Sequence, residues 1–273
     1  MKKVEKNTNV NILYLTTDCN FDCSYCYENL KDKVKRKMSK AEIMDAIDNA
    51  IKSEPKDKQT LFVLFGGEAT LAWDEAKFAM NYAMSKKSDV SFNLETNGYR
   101  FKSSKFIADY INTPAYRAKK LTLDISFDGI GNEERKLKSG KSVTKDLLTI
   151  FRNLNTLKIP FRVRYTVHPK NVNFLVQDFE AIDKTIHPGR IIVSIAYELL
   201  QDGDEKKIDE SKNIILKKFS HHEITASICN WVCECCDGCT CMKEFNSYYS
   251  YEGNINKIRF TESSGKFNHF KEK

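Results

Sequence analysis

Nowhere in these 273 residues does an apolar run approach the roughly 18 positions of a membrane-spanning helix, so no membrane partner is expected. The opening residues, MKKVEKNTNVNILYL, lack the uninterrupted apolar stretch of a secretion signal, and a cytosolic protein is the expectation. Cysteine is missing from the 202 residues between positions 27 and 228, although the chain holds nine: three lie between 19 and 26 and six between 229 and 241. In a reducing compartment such clusters read as metal ligands or redox groups rather than disulfides. A concentrated basic patch is also lacking. The net charge of +7 and pI near 8.8 favour an acidic partner, but Lys and Arg are dispersed, and the densest run, KDKVKRK (31–37), reads as a solvated loop. Nucleic acid is therefore not the favoured partner. With 41% hydrophobic and 30% charged residues the chain can bury a full core, and its length suits one main domain plus an appendage.

Cys19, Cys23 and Cys26, in CNFDCSYC, supply three thiolates without a local fourth. Thiolates hold iron–sulfur clusters, and a cubane held by three leaves one iron open for a small chelating molecule. A zinc knuckle or buried structural thiols are the alternatives on the triplet alone.

Along the chain, apolar strand-like runs alternate with helical periodicity. NILYLTT (11–17) precedes a helix capped by Ser39, with Glu42 completing a capping box. TLFVLFGGE (60–68) precedes 73–84, VSFNLETNG (90–98) precedes 105–111, and LTLDISFDG (121–129) precedes 143–157. PFRVRYTV (160–167) precedes 172–186, and RIIVSIAYEL (190–199) precedes 208–219. Six such units predict parallel strands with right-handed crossovers: an α/β fold, a partial (β/α)6 TIM-like barrel over residues 1–203, with a small cysteine-rich extension over 204–273. Chemistry in such folds gathers at the carboxyl ends of the strands. The cysteine loop, GGE (66–68), ETNG (95–98) and SFDG (126–129) all fall there, so they are expected around one mouth. Gly66 and Gly67 would let backbone approach a ligand, and the carbonyls and carboxylate of this turn can accept from an ammonium group. Each glycine alone could be an ordinary turn residue.

Taken together, CNFDCSYC, GGEAT, LETNG and SFDG resemble the radical SAM superfamily, and their wording is similar to the anaerobic sulfatase maturase and SPASM branch, over roughly residues 10 to 200. The resemblance implies that Cys19, Cys23 and Cys26 hold a 4Fe-4S cluster whose open iron is chelated by S-adenosylmethionine. It implies that Gly66, Gly67 and Glu68 bind the methionyl ammonium, that Thr96, Asn97 and Ser126 contact ribose and carboxylate, that Tyr25 lies by the adenine, and that Arg135 binds a carboxylate. Ala69 stands where that branch usually has proline, a change in loop rigidity. The implied reaction is reductive cleavage to methionine and a 5′-deoxyadenosyl radical that abstracts a substrate hydrogen, with an external flavodoxin- or ferredoxin-type electron donor. The protein's part is to chelate, exclude water and hold one C–H in place.

The segment CNWVCECCDGCTC places Cys229, Cys233, Cys235, Cys236, Cys239 and Cys241 within thirteen residues. Metal is its default reading, and it resembles a compressed form of the auxiliary iron–sulfur region of that branch; not all six need be ligands. A four-thiolate zinc site is the rival. No cysteine follows Cys241, so one auxiliary cluster is expected rather than two, and the later YYSYEGNINKIRF reads as a hairpin. Trp231 and tyrosines 248, 249 and 251 read as core or cluster cover, and adjacent His221 and His222 as surface residues before ligands. Three functions are open: modification of a peptide or protein, action on a nucleotide or RNA base, or a non-catalytic metal protein. The first is favoured. With 18 residues before Cys19, an amino-terminal leader-recognition domain is not expected, and a separate partner or a leaderless substrate would be needed.

Overall fold

The computed structural model describes residues 8–26, 34–53, 59–131, 134–195, 199–226, 247–250 and 253–255. All six expected strand and helix units form: β1 (Thr8–Thr16) and α1 (Lys40–Lys52), β2 (Gln59–Gly66) and α2 (Trp73–Lys86), and β3 (Val90–Thr96) with α3 (Ser104–Ile111) and a short α4 (Pro114–Arg117). They continue with β4 (Leu121–Ser126) and α5 (Thr144–Thr156), β5 (Arg162–Val167) and α6 (Leu175–Thr185), and β6 (Arg190–Ile195) and α7 (Asp204–Lys218). The capping box is present. The Ser39 hydroxyl accepts from the Glu42 amide at 3.3 Å while the Glu42 carboxylate accepts from the Ser39 amide at 2.7 Å, satisfying two donors that the first helical turn otherwise leaves unpaired.

Period-2 alternation sorts the strands into two faces. Leu13, Leu15, Phe62, Leu64, Phe92, Leu94, Leu123, Ile125, Val163 and Val193 turn toward the helices. There they form one continuous core with Ile43 of α1, Ala76 of α2, Phe106 of α3, Phe151 of α5, Phe179 of α6 and Ile215 of α7. Each fully buried Leu or Phe in that layer contributes about 1.5–3 kcal/mol. The opposite face is mixed and includes Asn93, Glu95, Asp124, Arg162 and Arg164.

Strands β1 to β6 pair in parallel, each with the next. The sheet is wider than the six strands expected, with order β7-β6-β5-β4-β3-β2-β1-β8-β9. β7 (Glu223–Ala226) pairs parallel to β6; four residues behind a charged helix carry too little periodicity to be recognised as a strand. β8 (Ser247–Ser250) and β9 (Gly253–Ile255) pair antiparallel, as the hairpin reading expects, and β8 lies parallel to β1, covering that edge. Among the described residues no helix is long and apolar enough to cross a membrane.

Candidate active site

A register irregularity between Tyr14 and Thr16 ends β1 and turns the chain into the cysteine loop. Two neighbouring segments pin that loop by main-chain bonds. From β2, the Gly67 amide donates to the Thr16 carbonyl and the Glu68 amide to the Asp18 carbonyl, both at 2.8 Å. A Cβ at Gly66 would strike the Thr16 carbonyl oxygen, and one at Gly67 the carbonyls of Thr17 and Asp18. The two glycines are therefore required by the approach of one backbone to another. From beyond β4, residues 134–138 lie antiparallel to the loop: Phe21 bridges Leu137, the Asp22 amide donates to the Lys136 carbonyl at 2.8 Å, and the Lys138 amide to the Asn20 carbonyl at 3.2 Å.

Held in this way, Cys23 is buried and Cys19 and Cys26 are partly so. Burial pushes the Cys19 thiol up to about 11 and the Cys23 thiol up to about 12. Thiolates at these positions call for compensating positive charge. Part of it is built in, since the Arg135 guanidinium lies 4.0 Å from the Cys23 sulfur. Asn97 donates to the Cys19 sulfur at 3.9 Å and to Asn20 Oδ1 at 2.8 Å, tying the end of β3 to the loop. Three soft donors in a sheltered, partly cationic setting fit an iron–sulfur cluster.

Glu68 is 1% exposed, and its carboxylate takes four donors from the chain itself: the Thr70 amide at 2.9 Å, the Thr70 hydroxyl at 2.5 Å, the Thr96 hydroxyl at 2.6 Å and the Asn97 amide at 2.7 Å. The carboxylate ties the end of β2 to the end of β3.

Arg135 is likewise engaged. Asp128, from SFDG, receives its Nε at 2.8 Å and Nη2 at 3.2 Å, and also accepts from the Tyr25 hydroxyl. Burial works against this cation, but Asp128, Tyr25 and Cys23 together outweigh it and drive the Arg135 pKa up. Arg135 thus binds a carboxylate of the chain itself, that of Asp128. The Tyr25 ring stacks on His168, with centroids 4.8 Å apart, and the Arg135 guanidinium lies over the ring at 5.5 Å. Ser126 ends β4, partly buried.

Gly129 is needed for a reason the sequence does not display. Its φ is +109°, and a Cβ there would collide with the Asp178 carboxylate, which accepts from the Ile130 amide at 3.2 Å and the Tyr165 hydroxyl at 2.6 Å. Burial raises Asp178 to about 6, against the hydrogen bonds that lower it. Because the folded-state value lies above the unfolded one, the folded chain binds the proton more tightly. Stability then falls as pH rises from about 4 to about 6, and is level above that window. Comparison of urea midpoints at pH 4.5 and pH 7 should show a loss on the order of 1–3 kcal/mol in the parent that Asp178→Asn lacks. Equal pH dependence in both proteins would show that the carboxyl is not taxed by burial.

Behind these strand ends, on the face turned away from the helices, Asp124 accepts from Arg162 Nη2 at 2.8 Å and Asn93 Nδ2 at 2.9 Å, and Arg164 donates to Glu95 at 2.8 Å. Burial raises the Glu95 pKa, opposed by Arg164.

The structure thus gathers Cys19, Cys23, Cys26, Tyr25, Gly66, Gly67, Glu68, Thr96, Asn97 and Arg135 into one network of contacts around the cysteine loop. Cys229, Cys233, Cys235, Cys236, Cys239, Cys241 and Trp231 lie outside the described residues. Sequence reasoning assigned no role to Asp128, His168, Asn171 and Asp178. Asp128 sits inside the quoted SFDG, and Asn171 caps the turn after β5, donating to the carbonyls of Thr166 at 2.8 Å and Asp128 at 3.2 Å, so strand-end position was the available signal.

The Radical SAM superfamily matches residues 13–181. The chain belongs to that superfamily, a class of iron–sulfur-dependent enzymes that use S-adenosylmethionine. It is 28% identical over 225 residues to the uncharacterized protein MJ0907 of Methanocaldococcus jannaschii, covering 78% of this chain and 72% of that protein. Its fold is similar to native anSMEcpe with bound AdoMet and Kp18Cys peptide, with TM-score 0.63 and 16% identity over 80% of this chain and 63% of that one. It is also similar to Streptococcus suis SuiB bound to S-adenosylmethionine, with TM-score 0.57 and 12% identity over 82% of this chain. The chain spans less than two thirds of either solved protein, 63% of the first and 52% of the second.

Proposed function

We propose that this chain takes a hydrogen atom from a peptide or protein substrate as a radical SAM enzyme. The observation that carries the reading is the convergence of Cys19, Cys23 and Cys26 with Arg135 and Asn97 at the carboxyl ends of β1, β3 and β4, where Asn97 donates to the Cys19 sulfur and Arg135 to the Cys23 sulfur. When bound, a 4Fe-4S cluster and S-adenosylmethionine supply a 5′-deoxyadenosyl radical at this mouth. The chain's own residues hold the three thiols in place, set a cation beside Cys23, and fix the strand ends through Glu68 and Asp128. The turn backbone of Gly66 to Glu68, with Thr96, Asn97, Ser126 and the neighbourhood of Tyr25, forms the proposed cofactor cradle.

A peptide suits the polar sheet face behind the mouth, where Arg162 and Arg164, paired with Asp124 and Glu95, remain partly exposed. The fold shared with anSMEcpe, which was solved with a bound peptide, supports the same reading. The cysteines between 229 and 241 are proposed to hold an auxiliary cluster, and a flavodoxin- or ferredoxin-type protein to deliver electrons.

The test is hydrogen transfer. Reconstituted protein, reductant and S-adenosylmethionine are mixed with fully deuterated cell extract divided into peptide and nucleic-acid fractions, and 5′-deoxyadenosine is weighed by mass spectrometry. Deuterium is expected from the peptide fraction. Label arriving only from the nucleic-acid fraction, or from neither, would overturn the substrate class.

A further inference from the structure

We propose that Asp183, His221 and His222 form a binding site for one divalent first-row transition ion, which fastens the turn after α7 to α6. The Nε2 atoms of both histidines lie 2.7 Å from the same oxygen of Asp183, the ring centroids are 4.5 Å apart, and one ligand atom from each of the three residues falls within a 4.8 Å span.

Adjacent residues on a strand would point apart, but these two follow the end of α7 in a turn. The His222 amide donates to the Phe219 carbonyl at 2.9 Å, and Phe219, 2% exposed, is anchored beside Phe179 with ring centroids 5.9 Å apart. The turn therefore presents both rings to one side, over the last turns of α6. Lys218 of α7 pairs with Glu180, one helical turn earlier on α6.

Two imidazoles and a carboxylate suit zinc and its neighbours in the first row. Such an ion, with bonds of 2.0–2.2 Å, keeps its tetrahedral ligands about 3.3 Å apart, so the pairs now at 2.7 Å must open by about half an ångström. The His221 side chain is 58% exposed and can swing, while the His222 side chain is 10% exposed and stays fixed. The exposed side leaves a fourth position for water. α6 runs from the carboxyl end of β5 to the amino end of β6, so Asp183 lies toward the end of the sheet opposite the cysteine loop, and the site is separate from the one proposed for catalysis.

Full-chain protein, reconstituted anaerobically so that its thiols carry their clusters, is equilibrated with Zn2+ by dialysis and, separately, titrated with Co2+. The parent should hold one ion that is bound about tenfold or more weakly in both Asp183→Asn and His221→Gln. Cobalt at this site should give visible ligand-field bands without the intense near-ultraviolet transitions of thiolate ligands. His221→Gln alters a mostly exposed side chain, so its loss of binding cannot be ascribed to misfolding. Equal zinc affinity and stoichiometry in the parent and both variants, or cobalt bands of thiolate type alone, would reduce the cluster to a hydrogen-bonded clamp and overturn the proposal.

Discussion

Protein in which Cys19, Cys23 and Cys26 are all alanine is expected to release no 5′-deoxyadenosine when reduced anaerobically with S-adenosylmethionine. The loss should be complete rather than partial, because removing the three thiols removes every sulfur with which the loop can hold a cluster, and no other described residue supplies a thiol. The fold should survive the change. The loop is pinned through main-chain bonds to Thr16, Asp18, Asn20 and Asp22, none of which involves the three side chains. Iron analysis of the same variant separates the two cysteine clusters: about four irons per chain should remain if a cubane sits between 229 and 241. Turnover equal to the parent's would reject the initiating-site assignment, and zinc or no metal in the variant would reject the auxiliary cluster.

The sheet was legible because buried parallel strands and the helices between them leave the strongest patterns a sequence can carry. The Ser39 and Glu42 box marks α1 within a residue, and the apolar runs mark β2 to β6 closely. β7 was not legible, since Glu223–Ala226 has no room for a period, and it is made a strand by the open edge of β6. The placing of the motifs at one mouth was legible for the same reason, as strand ends in a parallel sheet all face one way.

What each motif residue touches was harder to read. Gly129 resembles an ordinary turn glycine until Asp178, 49 positions later, is seen filling the space of its Cβ. Arg135 looks like a cation awaiting a ligand, yet Asp128 only seven residues earlier already holds it. Both partners come from elements whose separation in sequence carries no trace of their contact. A motif identifies the place of chemistry and leaves open which of its groups the protein has already used to build that place.

Glu68→Ala puts that distinction to the test. Its carboxylate is buried and accepts from two backbone amides, Thr70 and Asn97, and two hydroxyls, Thr70 and Thr96. Alanine leaves all four without their acceptor. The hydroxyls can turn to other partners, but the amides are fixed by the backbone, and a buried amide left unpaired costs about 1–3 kcal/mol. The substitution should therefore lower stability by about 2–6 kcal/mol with no ligand present. Glu68→Gln, which keeps one acceptor oxygen but turns an amide group toward the remaining donors, should fall between Glu68→Ala and the parent. Denaturant midpoints of the three proteins, measured anaerobically without S-adenosylmethionine, give the order. Coincident midpoints would overturn this structural role, whatever the effect of the substitutions on affinity for S-adenosylmethionine. A loss of stability in the ligand-free protein, graded from glutamine to alanine, is what a carboxylate already spoken for by β2 and β3 requires.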